Sequence, residues 1–201
     1  MKNGAPELKS LFQLISDRHV PSLPIYLNIQ KRMFSKELTS AQIAINFFSL
    51  HKHKSYERAR FIDLQDFFKK YLKFTADANG TATLLKTRLD KVYDYLKGSK
   101  IALKNRAMGV TVFFFLNSLI ENDKEQNIKP FIKFLSEFWN RLRSQIEKGI
   151  DIEPRYRYLL EFQTYISQAA VEKYAIENGQ KYLEDYFDYY LKSGGKIKGD
   201  K

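Results

Sequence analysis

Apolar residues in this chain recur every three or four positions, and prolines and glycines cut that pattern into short lengths. This spacing constrains the fold more than any other feature, because residues three and four apart share one face of an α-helix. Leu64, Phe67, Phe68, Tyr71 and Leu72 form one stripe, and Leu85, Leu89, Val92, Tyr93 and Leu96 a second. Phe131, Leu135, Phe138, Trp139, Leu142 and Ile146 form a third. Tyr158, Phe162, Tyr165, Ile166 and Ala169 form a fourth, and Tyr182, Leu183, Tyr186, Phe187 and Tyr190 a fifth. The breaks fall where helices start and stop. Pro6 opens a helix to about Ser16, and Pro21 and Pro24 separate it from one over Ile25–Phe34. Thr39 or Ser40 caps a third, ending near His51, and Asp63 opens a fourth. Asn79-Gly80 reads as a turn before a helix capped by Thr81 and ended by Gly98. Residues 102–121 form the next, Pro130 to Gly149 the one after, Pro154 opens another, and Ala175–Leu191 is the last. Only Thr111–Phe115 has strand propensity, and no second strand is evident to pair with it. The expectation is an all-α protein, a globular bundle of eight or nine helices in a single domain over residues 1–192, with 193–201 as a disordered basic tail.

With 44% hydrophobic residues among 201, the chain buries a full core, which excludes global disorder. It has no cysteine, so disulfide frameworks, cysteine-based zinc fingers and thiol nucleophiles are excluded, and the cytosol is the expected location. No signal-peptide pattern opens the sequence. Its most apolar run, Val110–Ile120, is far shorter than the roughly 20 residues a membrane span needs, and Asn117 and Ser118 interrupt it. No membrane partner is expected. P-loop, dinucleotide-binding, H-E-x-x-H and G-x-S-x-G signatures are all missing, so no cofactor or catalytic residue is assigned.

The charge is uneven. The whole chain carries +11, with a net +3 over residues 1–50, +8 over 51–110 and zero over 111–201. A localised excess of this kind marks a surface that meets an anion such as DNA or RNA. Two clusters supply it. Lys52, Lys54, Arg58 and Arg60 surround Tyr56, whose ring is of the kind that stacks on bases. Lys97, Lys100, Lys104 and Arg106 form the second, although Lys97 at a helix end also suits the helix dipole. Arg155-Tyr156-Arg157-Tyr158 interleaves cations and rings in acidic surroundings, where an ion pair with Asp151 or Glu153 competes with phosphate contact. His51 and His53 do not share a helix face and make no metal site. Glu121, Asp123 and Glu125, and Asp151 with Glu153, read as charge near helix starts rather than acid–base pairs. Glu184, Asp185 and Asp188 form a solvated face opposite the tyrosine stripe. That stripe makes the last helix the expected docking helix, through Tyr182, Tyr186, Tyr189 and Tyr190.

Two stretches carry a family resemblance: Arg32-Met33-Phe34-Ser35-Lys36-Glu37-Leu38 leading into Ala41–Leu50, and Phe162–Leu191. Both resemble the helical C-terminal half of the ParB-like-nuclease-fold restriction and phage-defence family of GmrSD type. The catalytic half of that family, with its D-G-Q-Q-R-type motif, and the H-N-H module of some members have no counterpart here. The resemblance therefore implies a DNA-linked defence setting and a larger nuclease or defence protein as partner, and transfers no catalytic residue. Together these readings predict a non-enzymatic basic module that contacts nucleic acid. The alternative is a protein–protein interaction subunit docking through its last helix. An enzyme with a dispersed active site is the third reading, and it requires a pocket that gathers carboxylates.

Overall fold

A computed structural model describes residues 36–70, 76–96, 99, 106–167 and 172–200. Among these residues the structure is helical and contains no strand. Seven α-helices follow one another: α1 (Lys36–His53), α2 (Phe61–Lys70), α3 (Ala76–Leu96), α4 (Arg106–Glu121), α5 (Ile128–Glu147), α6 (Tyr158–Ser167) and α7 (Lys173–Lys192). Single 3₁₀ turns precede α5 and lie between α5 and α6. The two helices expected before residue 35, and Arg32–Ser35 of the family-like segment, lie outside the described residues.

Helix α4 lies at the center of the described helices. Ala107, Met108, Val110 to Asn117, Leu119 and Ile120 are all buried, so this helix has almost no solvent face. The strand-prone Thr111–Phe115 segment is helical because burial on all sides outweighs β-branched propensity. Helix α4 packs against α1, α3, α6 and α7. Its contact with α7 is close: a Cβ on Gly179 would stand 3.5 Å from the Thr111 side chain, and the Gln180 amide donates to the Thr111 carbonyl. Helix α5 adds Ile128, Phe131, Phe134, Leu135, Phe138 and Leu142 from one face. Phe131 stacks on Phe115 at 4.3 Å and meets Phe187 edge-on at 5.3 Å, while Phe138 meets Phe162 at 5.3 Å. Phe134 belongs to this face and Ile146 does not, being 40% exposed. Trp139 is half-buried against the same cluster.

Local chemistry sets the helix ends. The Asp63 carboxylate accepts from the Arg60 amide at 2.9 Å, so Asp63 sits in the first turn of α2 and caps it from within. Pro154 enters the 3₁₀ turn before α6 at its first position. Two buried amides tie loops to helices. Asn46 of α1 accepts from the Glu57 amide at 2.8 Å, and Gln145 of α5 accepts from the Glu153 amide at 3.2 Å.

Two expectations are corrected. Asn79-Gly80 is not a turn, because α3 runs through it without a break. Gly80 is exposed, and a Cβ placed there would meet nothing within 4 Å, so no packing needs the glycine. Gly80→Ala should therefore raise stability by about 0.5–1 kcal/mol in chemical denaturation, since it removes backbone entropy from a helix interior. Nor is the segment after α7 a disordered tail. Gly194 and Gly195 adopt φ of 71° and 92°, and the Gly195 amide donates back to the Tyr190 carbonyl at 2.8 Å, closing the helix and reversing the chain. Ile197 then inserts into the core, 3% exposed.

Candidate docking surface on the tyrosine-rich last helix

The sequence leads to an expectation of phosphate contacts in the basic loop between α1 and α2. The last turn of α1 leaves His51, Lys52 and His53 exposed, and Lys54 turns the chain with a φ of 55°. Beyond it the loop is held inward. Tyr56 is not a free stacking surface: its ring lies edge-on to Phe114 at 5.3 Å, and burial pushes its pKa up. Arg58 and Arg60 both turn onto Asp63, at 3.2 and 3.1 Å. Partial burial works to raise the Asp63 pKa, but hydrogen bonds from Arg60 and Arg58 outweigh it and lower it. Lys173 at the start of α7 donates to Ser55 at 2.8 Å. The adjoining groove, about 520 Å³, is lined by Glu57, Asp63, Asp66 and Glu172 as well as His53, Arg58 and Lys173. Its charge is mixed, and phosphate gains little there. Of the second cluster, Lys97, Lys100 and Lys104 lie outside the described residues, and Arg106 begins α4.

In two other motifs charged groups pair within the protein. Arg155 is held by Glu153 at 2.7 Å, the ion pair anticipated from its acidic surroundings. Hydrogen bonds from Lys148, Arg155 and Gln145 pull the Glu153 pKa down to about 2. Glu125 accepts from Lys91 at 2.8 Å and from the Tyr95 hydroxyl, and these bonds lower its pKa. Neither carboxylate is poised to deliver a proton near neutral pH. Among the described residues no group of three or more His, Asp or Glu side chains is arranged to hold a metal ion. No helix among them is long and apolar enough to cross a membrane.

Helix α7 presents something different. Its inner face, Ile176, Leu183 and Phe187, joins the core. Tyr190 belongs to that face too, 3% exposed and 5.3 Å from Phe134, so it is corrected from docking residue to core residue. The next face outward carries Tyr182 and Tyr186, half-buried, and Tyr189, 40% exposed. Helix α6 supplies Tyr158 and Tyr165, seven residues apart and so on one side. The rings form a continuous ladder. Tyr174 lies 6.5 Å from Tyr165, Tyr165 5.6 Å from Tyr182, Tyr182 5.4 Å from Tyr186, and Tyr186 stacks on Tyr158 at 4.3 Å. The Lys198 ammonium closes the end of the ladder, 5.3 Å from the Tyr186 ring and 5.8 Å from that of Tyr158.

A cleft of about 420 Å³ opens beside this ladder, lined by Asn178, Lys181, Tyr182, Asp185, Tyr186, Tyr189 and Lys198. Burial, with Glu161 and Asp185 nearby, raises the Tyr186 pKa, so its hydroxyl stays a donor. The cleft offers ring faces, hydroxyls, one carboxylate and two ammonium groups, the mixture found at protein interfaces. Sequence reasoning reached Tyr182, Tyr186 and Tyr189 but missed Lys198, which it placed in a disordered tail. The i, i+4 run Asn178–Tyr182–Tyr186 was the available signal for Asn178.

No protein-family model, no curated protein and no solved structure matches this chain.

Proposed function

We propose that this chain is a binding module whose tyrosine-lined cleft on α7 docks a protein partner. The single observation that carries this reading is the cleft itself, where Tyr182, Tyr186 and Tyr189 meet Lys181 and Lys198 at the surface. Tyrosine gives large contact area at low entropic cost, with a polar tip for specificity. The family resemblance supports a partner drawn from a DNA-linked defence assembly, a larger nuclease or defence protein, in the cytoplasm. A photo-crosslinking phenylalanine analogue at position 189 tests it in cell extracts. The expected result is a discrete adduct that falls at least tenfold when Lys181→Glu is added. No adduct, or one indifferent to Lys181→Glu, overturns it.

A second reading, contact with DNA or RNA, is favored by the +8 over residues 51–110 and by exposed Lys52 and Lys54 at the end of α1. Lys97, Lys100, Lys104 and Arg106 would add phosphate contacts, with Arg58 and Arg60 contributing less because Asp63 holds them. Fluorescence anisotropy with a labelled duplex and a single strand tests it. Affinity should fall log-linearly with salt, and Lys52→Glu with Lys54→Glu should flatten the slope by about two. Absence of binding at about 50 mM salt, or an unchanged slope, sinks this reading.

A further inference from the structure

The segment that follows α7 does not lie on the body passively; each of its residues from Ile197 to Asp200 meets a chemically matched partner. Ile197 enters the core at 3% exposure. The carbonyl of Lys198 accepts from the Tyr158 hydroxyl at 2.9 Å, while its ammonium lies over the Tyr158 and Tyr186 rings. Gly199 passes flush against Tyr156: with a φ of 95°, a Cβ there would meet that ring at 2.9 Å and the Arg155 carbonyl at 3.1 Å. The Asp200 carboxylate pairs with Arg141 at 2.8 Å and accepts from the Tyr156 hydroxyl. Arg141 and Arg155 each approach the Tyr156 ring, both at 4.9 Å from its center. The surface beneath the segment therefore has four consecutive positions with distinct demands: apolar, cationic, side-chain-free and anionic.

Such a surface has the makings of a peptide receptor. It sits on helices α5, α6 and α7 and the 3₁₀ turn at Tyr156, which are fixed by the core, and its occupant joins α7 through Gly194, Gly195 and the hydrogen bonds between Ser193 and Lys196. The Asp200 amide donates to the Ile197 carbonyl at 2.9 Å, so Ile197–Asp200 is a tight turn with Lys198 and Gly199 at its center. We propose that Arg141, Tyr156, Tyr158 and Tyr186 form a binding site for a peptide turn of the pattern apolar–basic–glycine–acidic, and that Ile197–Asp200 is its resident occupant in cis. A partner segment of that chemistry displaces it, its basic residue takes the place of Lys198 over the Tyr158 and Tyr186 rings, and it continues into the adjoining tyrosine cleft that Lys198 lines while the occupant is in place. The inference rests on reading the α7 face as a docking surface, and it adds the partner's chemistry and a built-in competitor. A tether this short holds the occupant at an effective concentration on the order of millimolar, so an outside peptide binds weakly until the occupant is loosened.

Gly199→Val loosens it, since the valine side chain collides with Tyr156 and resists the positive φ. The probe is a fluorescein-labelled peptide of sequence GGKIKGDK, titrated by anisotropy against wild type and Gly199→Val. The expected result is at least tenfold tighter binding to Gly199→Val, lost when Arg141→Ala is added and unchanged when Ile62→Ala, an exposed position on α2, is added instead. Equal binding to both proteins, or none to a Gly199→Val protein with native circular dichroism, overturns the proposal. Should Gly199→Val not fold, Asp200→Asn carries the test. It removes the charge that Arg141 pairs with, so binding should tighten severalfold, and no gain overturns the proposal. If the peptide binds as expected but the crosslinker at position 189 captures nothing, the docking reading alone falls.

Discussion

Replacing Phe131 with alanine should destabilise this protein by about 3–5 kcal/mol, the range for removing a large aromatic from a well-packed core. The reasons are geometric. Phe131 is fully buried on α5 and is the ring where three helices meet. It stacks on Phe115 of α4 at 4.3 Å, meets Phe187 of α7 edge-on at 5.3 Å, and lies 6.0 Å from Phe134 in the next turn of its own helix. Truncation removes the transfer energy of the ring and leaves a void whose walls are themselves rings held by other helices, so collapse is limited. Phe131→Leu should recover more than half of the loss, because it keeps most of the volume and forfeits mainly the stacking. Urea denaturation measures both. A loss below about 1.5 kcal/mol for Phe131→Ala would mean that the three helices do not meet through this ring.

The second large effect lies at Asn46. Its side chain is fully buried on α1, where its Nδ2 donates to the Gln42 carbonyl at 2.9 Å and its Oδ1 accepts from the Glu57 amide at 2.8 Å. Asn46→Leu keeps the branched skeleton and strands the Glu57 amide without its partner, at a cost of about 1–3 kcal/mol. Ser49→Ala serves as the control. It removes only the 3.2 Å bond to the Glu57 carboxylate and should cost under about 1 kcal/mol. Amide exchange gives a second readout, since the Glu57 proton should lose protection in Asn46→Leu and retain it in Ser49→Ala. Comparable costs for the two variants would place the anchor of this loop elsewhere.

Helix identity was legible wherever one face is apolar and the other polar. Leu85, Leu89, Val92 and Leu96 are spaced as the face of α3, and all four are buried. Pro154 and Asp63 mark helix starts through backbone chemistry that needs no tertiary context. The misreadings came from residues whose role depends on neighbors distant in the chain. Asn79-Gly80 has turn chemistry, yet helix continues on both sides and overrides it. The sequence likewise does not show that Arg58 and Arg60 turn onto Asp63 or that Tyr56 packs on Phe114. The docking face was legible in part. Tyr182 and Tyr186 follow from helical spacing, whereas Lys198 reaches them only after a reversal at two glycines that sequence alone reads as a loose end.

The all-round burial of α4 has a consequence for how this protein is made. Helices α1 and α3 precede it, but the cover that α7 supplies arrives late, with Gln180 bonding to Thr111 across a separation of 69 residues. At roughly 5–20 residues per second, synthesis leaves that apolar helix without its α7 cover for on the order of 3–14 s. For that interval the ribosome holds a segment, VTVFFFL, that is β-prone, uncharged and free of proline, the profile of an aggregation hazard. The helix that organises the finished protein is thus the one most in need of shelter while the chain is still being translated.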